Sequence, residues 1–206
     1  MAKRKYVYFF GAGKAEGKGD AKSLLGGKGA GLAEMTRIGL PVPAGFTITT
    51  EVCDLFYKNG KKHPKGLREE VAAHLKRLEK VTGKKLGDPI DPLLVSVRSG
   101  AARSMPGMME TILNLGLNDR SVEGLAVKTG NPRFAFDAYR RFLQMYSTVA
   151  KELPRERFNA VFDEIKRRHG AKSDPELPLA GLNEVVAKYK QIYRELTKTD
   201  FPQDPV

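Results

Sequence analysis

Tryptophan is absent, cysteine occurs once (Cys53) and histidine three times in this chain of 206 residues. A single cysteine excludes an internal disulfide framework and a multi-cysteine zinc site, and it fits a reducing compartment. The histidines, His63, His74 and His169, have no carboxylate or cysteine at ligand spacing in the sequence, so all three are expected on the surface. Cys53, without a histidine nearby, is expected as a small buried hydrophobe. Apolar residues make up an ordinary 41%, yet no run of them approaches the ~20 residues of a membrane helix. The patch Tyr6 to Phe10 is too short for a signal peptide. These absences lead to the expectation of a soluble, cytoplasmic protein with no membrane partner.

Acidic residues are also in deficit. The formal net charge is +12, from 36 Lys and Arg against 24 Asp and Glu. Residues 1–68 hold thirteen of the basic and five of the acidic residues, so most of the excess lies there. Such an end attracts polyanions, whether nucleic acid or phosphorylated small molecules. Its lysines alternate with glycine rather than with aromatics that could stack on bases, which argues against nucleic acid.

What is abundant is glycine, and 11 of the 21 fall in residues 1–60. That region reads as α/β. The patterns predict a strand at Tyr6–Phe10, a helix from about Gly29 to Gly39, a strand at Gly45–Thr50 and a helix at Glu51–Asn59. Leu67, Val71, Leu75, Leu78 and Thr82 predict a helix over 67–82, ended by Gly83. Leu93–Val97 is expected as a fully buried strand. From about residue 119 the pattern is helix after helix. Asn131 before Pro132 is an N-cap followed by proline at the first helical position. Further helices are centred on Phe158–Ile165 and Leu182–Leu196.

Three stretches could carry chemistry. In Leu24-Leu-Gly-Gly-Lys28-Gly-Ala-Gly, glycines around a lysine at a helix start suit an anion. The stretch is not a P-loop, because Gly29 follows Lys28 where Ser or Thr is required; a solvated lysine in a glycine-rich turn is the plain alternative. Arg98 follows a strand, where α/β proteins place ligands and where a guanidinium can clamp phosphate oxygens; a structural ion pair is the plain alternative. The loop Ser104-Met-Pro-Gly-Met-Met109 could line an apolar slot for a purine, or simply fill the core.

Taken in order, Leu24–Met35, Gly45–Thr50, Gly83–Asn118, Thr129–Tyr146 and the tail Phe201-Pro-Gln-Asp-Pro resemble the N-terminal end of the pyruvate, phosphate dikinase family. The run Leu93-Leu-Val-Ser-Val-Arg-Ser-Gly-Ala with Ser-Met-Pro-Gly-Met-Met is the specific part of that resemblance. The related phosphoenolpyruvate synthases share the lysine and the Val-Arg-Ser element but not the methionine loop. Their ATP-binding part, or a basic nucleic-acid-binding module, is the alternative reading.

The resemblance implies an α/β, ATP-grasp-type lobe (partial, N-terminal half) over 1–118, a helical subdomain over 119–197 and an extended, truncated tail over 198–206. It implies ATP as substrate and Mg²⁺ held by carboxylates outside this chain. The implied phosphotransferase makes phosphoenolpyruvate, AMP and diphosphate from ATP, pyruvate and phosphate, through a phosphohistidine that this chain lacks. The chain alone is then expected to be inactive, with the other domains of a homo-oligomeric enzyme as partners. The implied nucleotide-binding residues are Lys28, Arg98, Ser104, Met105, Pro106, Gly107, Met108, Met109 and Arg141. Gly100-Ala-Ala-Arg103-Ser and Glu110 depart from the family pattern, which leaves Arg103 and Glu110 without an inherited role.

Helix geometry separates Arg140 from Arg141. Ala138, Phe142, Met145 and Val149 share a narrow arc at 100° per residue, with Arg141 ~70–75° from its centre and Arg140 nearly opposite. The expectation is a solvated Arg140 and an Arg141 running along the edge of the packed face.

Overall fold

The computed structural model describes residues 4–100 and 110–205. They fall into two compact units: residues 4–83 with Ser99 and Gly100, and residues 84–98 with 110–205.

The first unit is built on an antiparallel sheet. Its central strand, β1 (Val7–Gly11), is flanked by β2 (Lys14–Ala15) and by β3 (Gly45–Ile48). Val7 faces Ile48 and Phe10 faces Gly45 across the β1–β3 pair. Three helices pack around it: α1 (Lys22–Arg37), α2 (Thr50–Lys58) and α3 (Leu67–Thr82). The period of the α3 sequence gave its length correctly, and Gly83 closes it in the left-handed conformation at φ 68°. The apolar cluster is small: Val7, Val52 and Leu67 are buried, with Tyr6, Phe46 and Val71 against them.

α1 differs from expectation. It begins seven residues earlier than Gly29 and is interrupted at Gly26, whose φ of 68° and ψ of 165° no helix contains. Only a residue without a Cβ takes that conformation at no steric cost, so the helix stops and restarts there. Thr50 secures the first piece, its Oγ1 donating to the Ser23 carbonyl at 2.5 Å. Cys53 is exposed on α2, not buried.

The second unit carries two small sheets and four helices. β4 (Lys85–Leu86) runs parallel to β5 (Pro92–Leu93), and β6 (Val95–Arg98) pairs antiparallel with β7 (Thr111–Leu115). The expected buried strand at 93–97 is therefore two short strands, and only Leu93 of its residues is buried; Val97 is 47% exposed. α4 (Ser121–Thr129) and α5 (Pro132–Met145) follow, and α5 runs on into a π-helical turn over Tyr146–Ala150. α6 (Arg155–Arg168) and α7 (Leu179–Thr197) complete the bundle. The N-cap at Asn131 forms as the sequence implied, accepting from the Phe134 N–H at 3.0 Å.

One continuous core holds this unit together, with Tyr139, Leu143, Phe158, Leu182 and Tyr189 at most 1% exposed. The extended tail is part of it. Phe201 is buried among Phe142, Tyr146 and Tyr193, with ring centroids 5.1–5.9 Å apart. Gln203 bonds back through its side chain to the Asp119 N–H at 2.9 Å and through its carbonyl to the Asn118 side chain at 3.0 Å.

Candidate functional site

Lys28 stands in the first turn after the Gly26 break and is exposed. Its ammonium donates to the Ser99 carbonyl at 3.4 Å, a long bond, and it has no acidic partner among the described residues. The next residue, Gly29, is a glycine for packing reasons: a Cβ there would sit 2.7 Å from the Thr47 methyl on β3. The glycine run thus does two jobs. Gly26 breaks the helix, and Gly29 lets its second piece lie close to the sheet.

Arg98 ends β6, as the sequence implied, and is exposed. Its Nε donates to the Ser96 hydroxyl at 3.2 Å, and it enters no ion pair among the described residues. Ser104, Met105, Pro106, Gly107, Met108 and Met109, together with Arg103, lie outside the described residues. Glu110, at the edge of the described part, is 3.9 Å from Arg155.

The expectation for Arg140 and Arg141 is reversed. Arg140 is buried at 4% exposure, with Nε and Nη2 donating to Asp137 Oδ1 at 2.9 and 2.7 Å and its guanidinium 4.2 Å from the Phe162 ring centroid. Arg141 is the solvated one; its Nε meets Asp137 Oδ2 at 2.9 Å. Two things shift the face. Ala135, Tyr139 and Leu143 are fully buried and widen the apolar arc, while the π-helical turn takes Val149 out of α-helical phase. Both arginines then lie about 60° outside the arc at 100° per residue, and periodicity no longer chooses between them. The neighbour chooses: α6 brings Phe162 to the Arg140 side.

Two histidines also have partners that the sequence did not reveal. His169 Nε2 lies 3.4 Å from Glu184, and the mostly buried His74 places Nε2 3.6 Å from Glu16 and Nδ1 2.7 Å from the Glu70 carbonyl. Glu16 is the electrostatic hub of the first unit. It accepts from the Phe9 N–H at 2.9 Å and from Lys5 at 2.9 Å, and it pairs with Arg77. Burial alone would raise its pKa, but the Phe9 amide, Lys5 and Arg77 together hold it at about 2. These contacts tie the β1–β2 hairpin to α3. They span up to 61 residues, beyond the reach of any local pattern.

Two grooves of the second unit are lined by Glu123, Val127, Phe136 and Leu179, and by Pro89, Asp119, Arg120 and Asp204. Neither includes a residue implied in nucleotide binding. Among the described residues no cluster of three His, Cys, Asp or Glu could hold a metal ion. No helix among them is long and apolar enough to cross a membrane.

Residues 22–79, from the start of α1 to near the end of α3, match the family model described as pyruvate phosphate dikinase, AMP/ATP-binding domain. Over 98% of its length the chain is 51% identical to pyruvate, phosphate dikinase of Clostridium symbiosum, covering 23% of that protein. It is 52% identical over 98% of its length to the chloroplastic pyruvate, phosphate dikinase 1 of Arabidopsis thaliana, covering 21% of it. Against pyruvate, phosphate dikinase of Giardia intestinalis it is 52% identical over 97% of its length, covering 23%. Along almost its whole length the chain is thus similar to pyruvate, phosphate dikinases. It spans about a fifth of the length of the curated relatives it matches. The family match includes Lys28, while Arg98 and Arg141 fall in the part aligned with the relatives alone.

Proposed function

We propose that this chain is the ATP-binding portion of a pyruvate, phosphate dikinase. That enzyme would convert ATP, pyruvate and phosphate to AMP, phosphoenolpyruvate and diphosphate through a phosphohistidine carried elsewhere. The observation that carries the reading is identity of about half of all residues along 98% of the chain to enzymes of that name. The match of residues 22–79 to an AMP/ATP-binding domain model supports it. On this reading the fold is an ATP-grasp-type lobe, working in the cytoplasm or, as the names of the plant relatives suggest for them, in a plastid. Its partners are the nucleotide, the remaining domains of the enzyme and a second copy of it.

Each proposed residue has a physical task. The turn restarted at Gly27 directs N–H groups and the positive end of a helix toward an anion, and Lys28 adds a mobile charge beside them. A 3.4 Å bond to a carbonyl is weak enough for a phosphate to displace. Arg98 offers a planar guanidinium for which no carboxylate among the described residues competes. Ser104–Met109 would cover the nucleotide, and exposed Arg141 would reach a phosphate on exchange from Asp137. Among the described residues no three His, Cys, Asp or Glu side chains gather to hold Mg²⁺. It would arrive with the nucleotide and be held by carboxylates of the rest of the enzyme, so no step here runs through it.

Alanine at Lys28 or Arg98 in the full enzyme should cut the ATP/AMP partial reaction at least tenfold. Each removes a charge-assisted contact worth ~1.5–3 kcal/mol. The pyruvate/phosphoenolpyruvate exchange, at a separate site, should stay near wild type. Equal loss of both half-reactions with the fold intact would refute the assignment, and tighter binding of an oligonucleotide than of ATP would favour the nucleic-acid reading.

A further inference from the structure

Strand β6 presents its polar residues on one face. Side chains two apart on a strand share a face, so Ser96 and Arg98 stand together, and both are exposed. Arg98 lies opposite Thr111 of β7. Between the pairs Val95–Leu115 and Val97–Ile112 the register slips, so that two steps of β6 match three of β7. The extra residue is accommodated at Asn114, whose φ is 60° and whose side chain donates to the Ala138 carbonyl of α5 at 3.3 Å. A bulge pinned in this way bends its own strand and increases the local twist of the pair. Ser96 sits at that point of β6.

A free arginine side chain on a surface loses rotamer entropy when a ligand fixes it. Ser96 removes part of that cost in advance. Its hydroxyl accepts from Arg98 Nε at 3.2 Å and so engages the inner edge of the guanidinium. The two terminal nitrogens, with their four N–H groups, remain for a bidentate contact with phosphate oxygens. An acidic residue in place of Ser96 would orient the arginine too, but would neutralise the charge that the phosphate requires. A hydroxyl orients without neutralising.

We infer that Ser96 is a positioning residue for Arg98, holding the guanidinium with its terminal nitrogens presented to the nucleotide phosphates. This rests on the reading of Arg98 as a phosphate contact. The test is a double-mutant cycle on ATP affinity, measured by titration calorimetry with the full chain. Ser96→Ala should weaken ATP about 3–10-fold, the worth of one solvent-exposed hydrogen bond, and Ser96→Thr should restore affinity to within about twofold of wild type, because its hydroxyl accepts the same bond. In an Arg98→Ala background Ser96→Ala should have no further effect, since nothing remains to position. An equal loss in both backgrounds would overturn the inference, because the hydroxyl would then act on the ligand or on the fold. Ser96→Ala within twofold of wild type, while Arg98→Ala falls tenfold or more, would overturn it alone. An Arg98→Ala variant that binds ATP like wild type would instead remove the reading beneath it.

Discussion

The two units invest the same kind of chain differently. The first spends its composition on glycine and lysine and buries nine apolar residues among those described, Val7, Val52 and Leu67 clustered together, with polar ties such as Glu16 and Glu70 joining its elements. The second interleaves helices around nineteen buried apolar residues and folds its own tail onto them. A backbone that must approach a phosphate cannot also be lined with large side chains, because every Cβ at the contact holds the ligand away. Glycines that permit the approach contribute nothing to a core. The unit with the proposed anion-binding turn is therefore expected to be the less stable, and the helical unit the one that survives local opening.

The largest effect should come from the helical core. Phe158 on α6 is fully buried, edge-on to Tyr189 with ring centroids 5.1 Å apart. Phe158→Ala removes the ring and leaves a cavity, costing about 3–5 kcal/mol. Urea unfolding followed by circular dichroism should show the loss in the helical transition. Val52→Ala in the first unit, on the rim of a three-residue cluster, should cost less than half as much. Comparable losses would mean that the two cores are equally well packed.

The next effect separates two neighbours. Arg140→Ala removes a buried guanidinium that holds two hydrogen bonds to Asp137 and covers the Phe162 ring, and should cost about 2–4 kcal/mol. Arg141→Ala breaks one exposed ion pair and should stay within about 0.5 kcal/mol. Thermal melts of the two variants decide it, and near-equal shifts would contradict the observed burial.

That pair also marks how far sequence reasoning reached. Elements closed by local chemistry were legible: α3 between its apolar period and Gly83, α5 from Asn131-Pro132, and β6 ending at Arg98. So was the lysine at a helix start, although the break at Gly26 was not, because a leucine–glycine run carries no sign of where φ turns positive. What failed depended on partners distant in sequence. Phe162, 22 residues on, decides the burial of Arg140, and three aromatics on other elements bury Phe201, a contact for which the extended tail carries no local signal. Of the proposed nucleotide-binding residues, Lys28 and Arg98 lie where the sequence placed them, at a helix start and a strand end. Ser96 was not legible, because a serine on a strand has no signal until its hydroxyl is seen beside the arginine.

The smallest effect tests whether polar ties stand in for a core in the first unit. Glu16 is ionised down to about pH 2 in the folded chain, against an ordinary value of 4.5. A carboxylate with a lowered folded pKa adds stability that is fully present above its unfolded value and fades as the pH falls through the folded one. The window is therefore about pH 4.5 down to about 2. Solvent reaches much of this cluster, so screening reduces the contribution to about 1 kcal/mol. Hydrogen exchange in β1 peptides, read by mass spectrometry, should show protection falling across that window in the wild type. In Glu16→Gln protection should start lower at pH 6 and change less on acidification, because the amide cannot titrate. Identical pH profiles for the two proteins would mean that Lys5 and Arg77 only decorate the hairpin and that the apolar cluster of Val7, Val52 and Leu67 holds it without them.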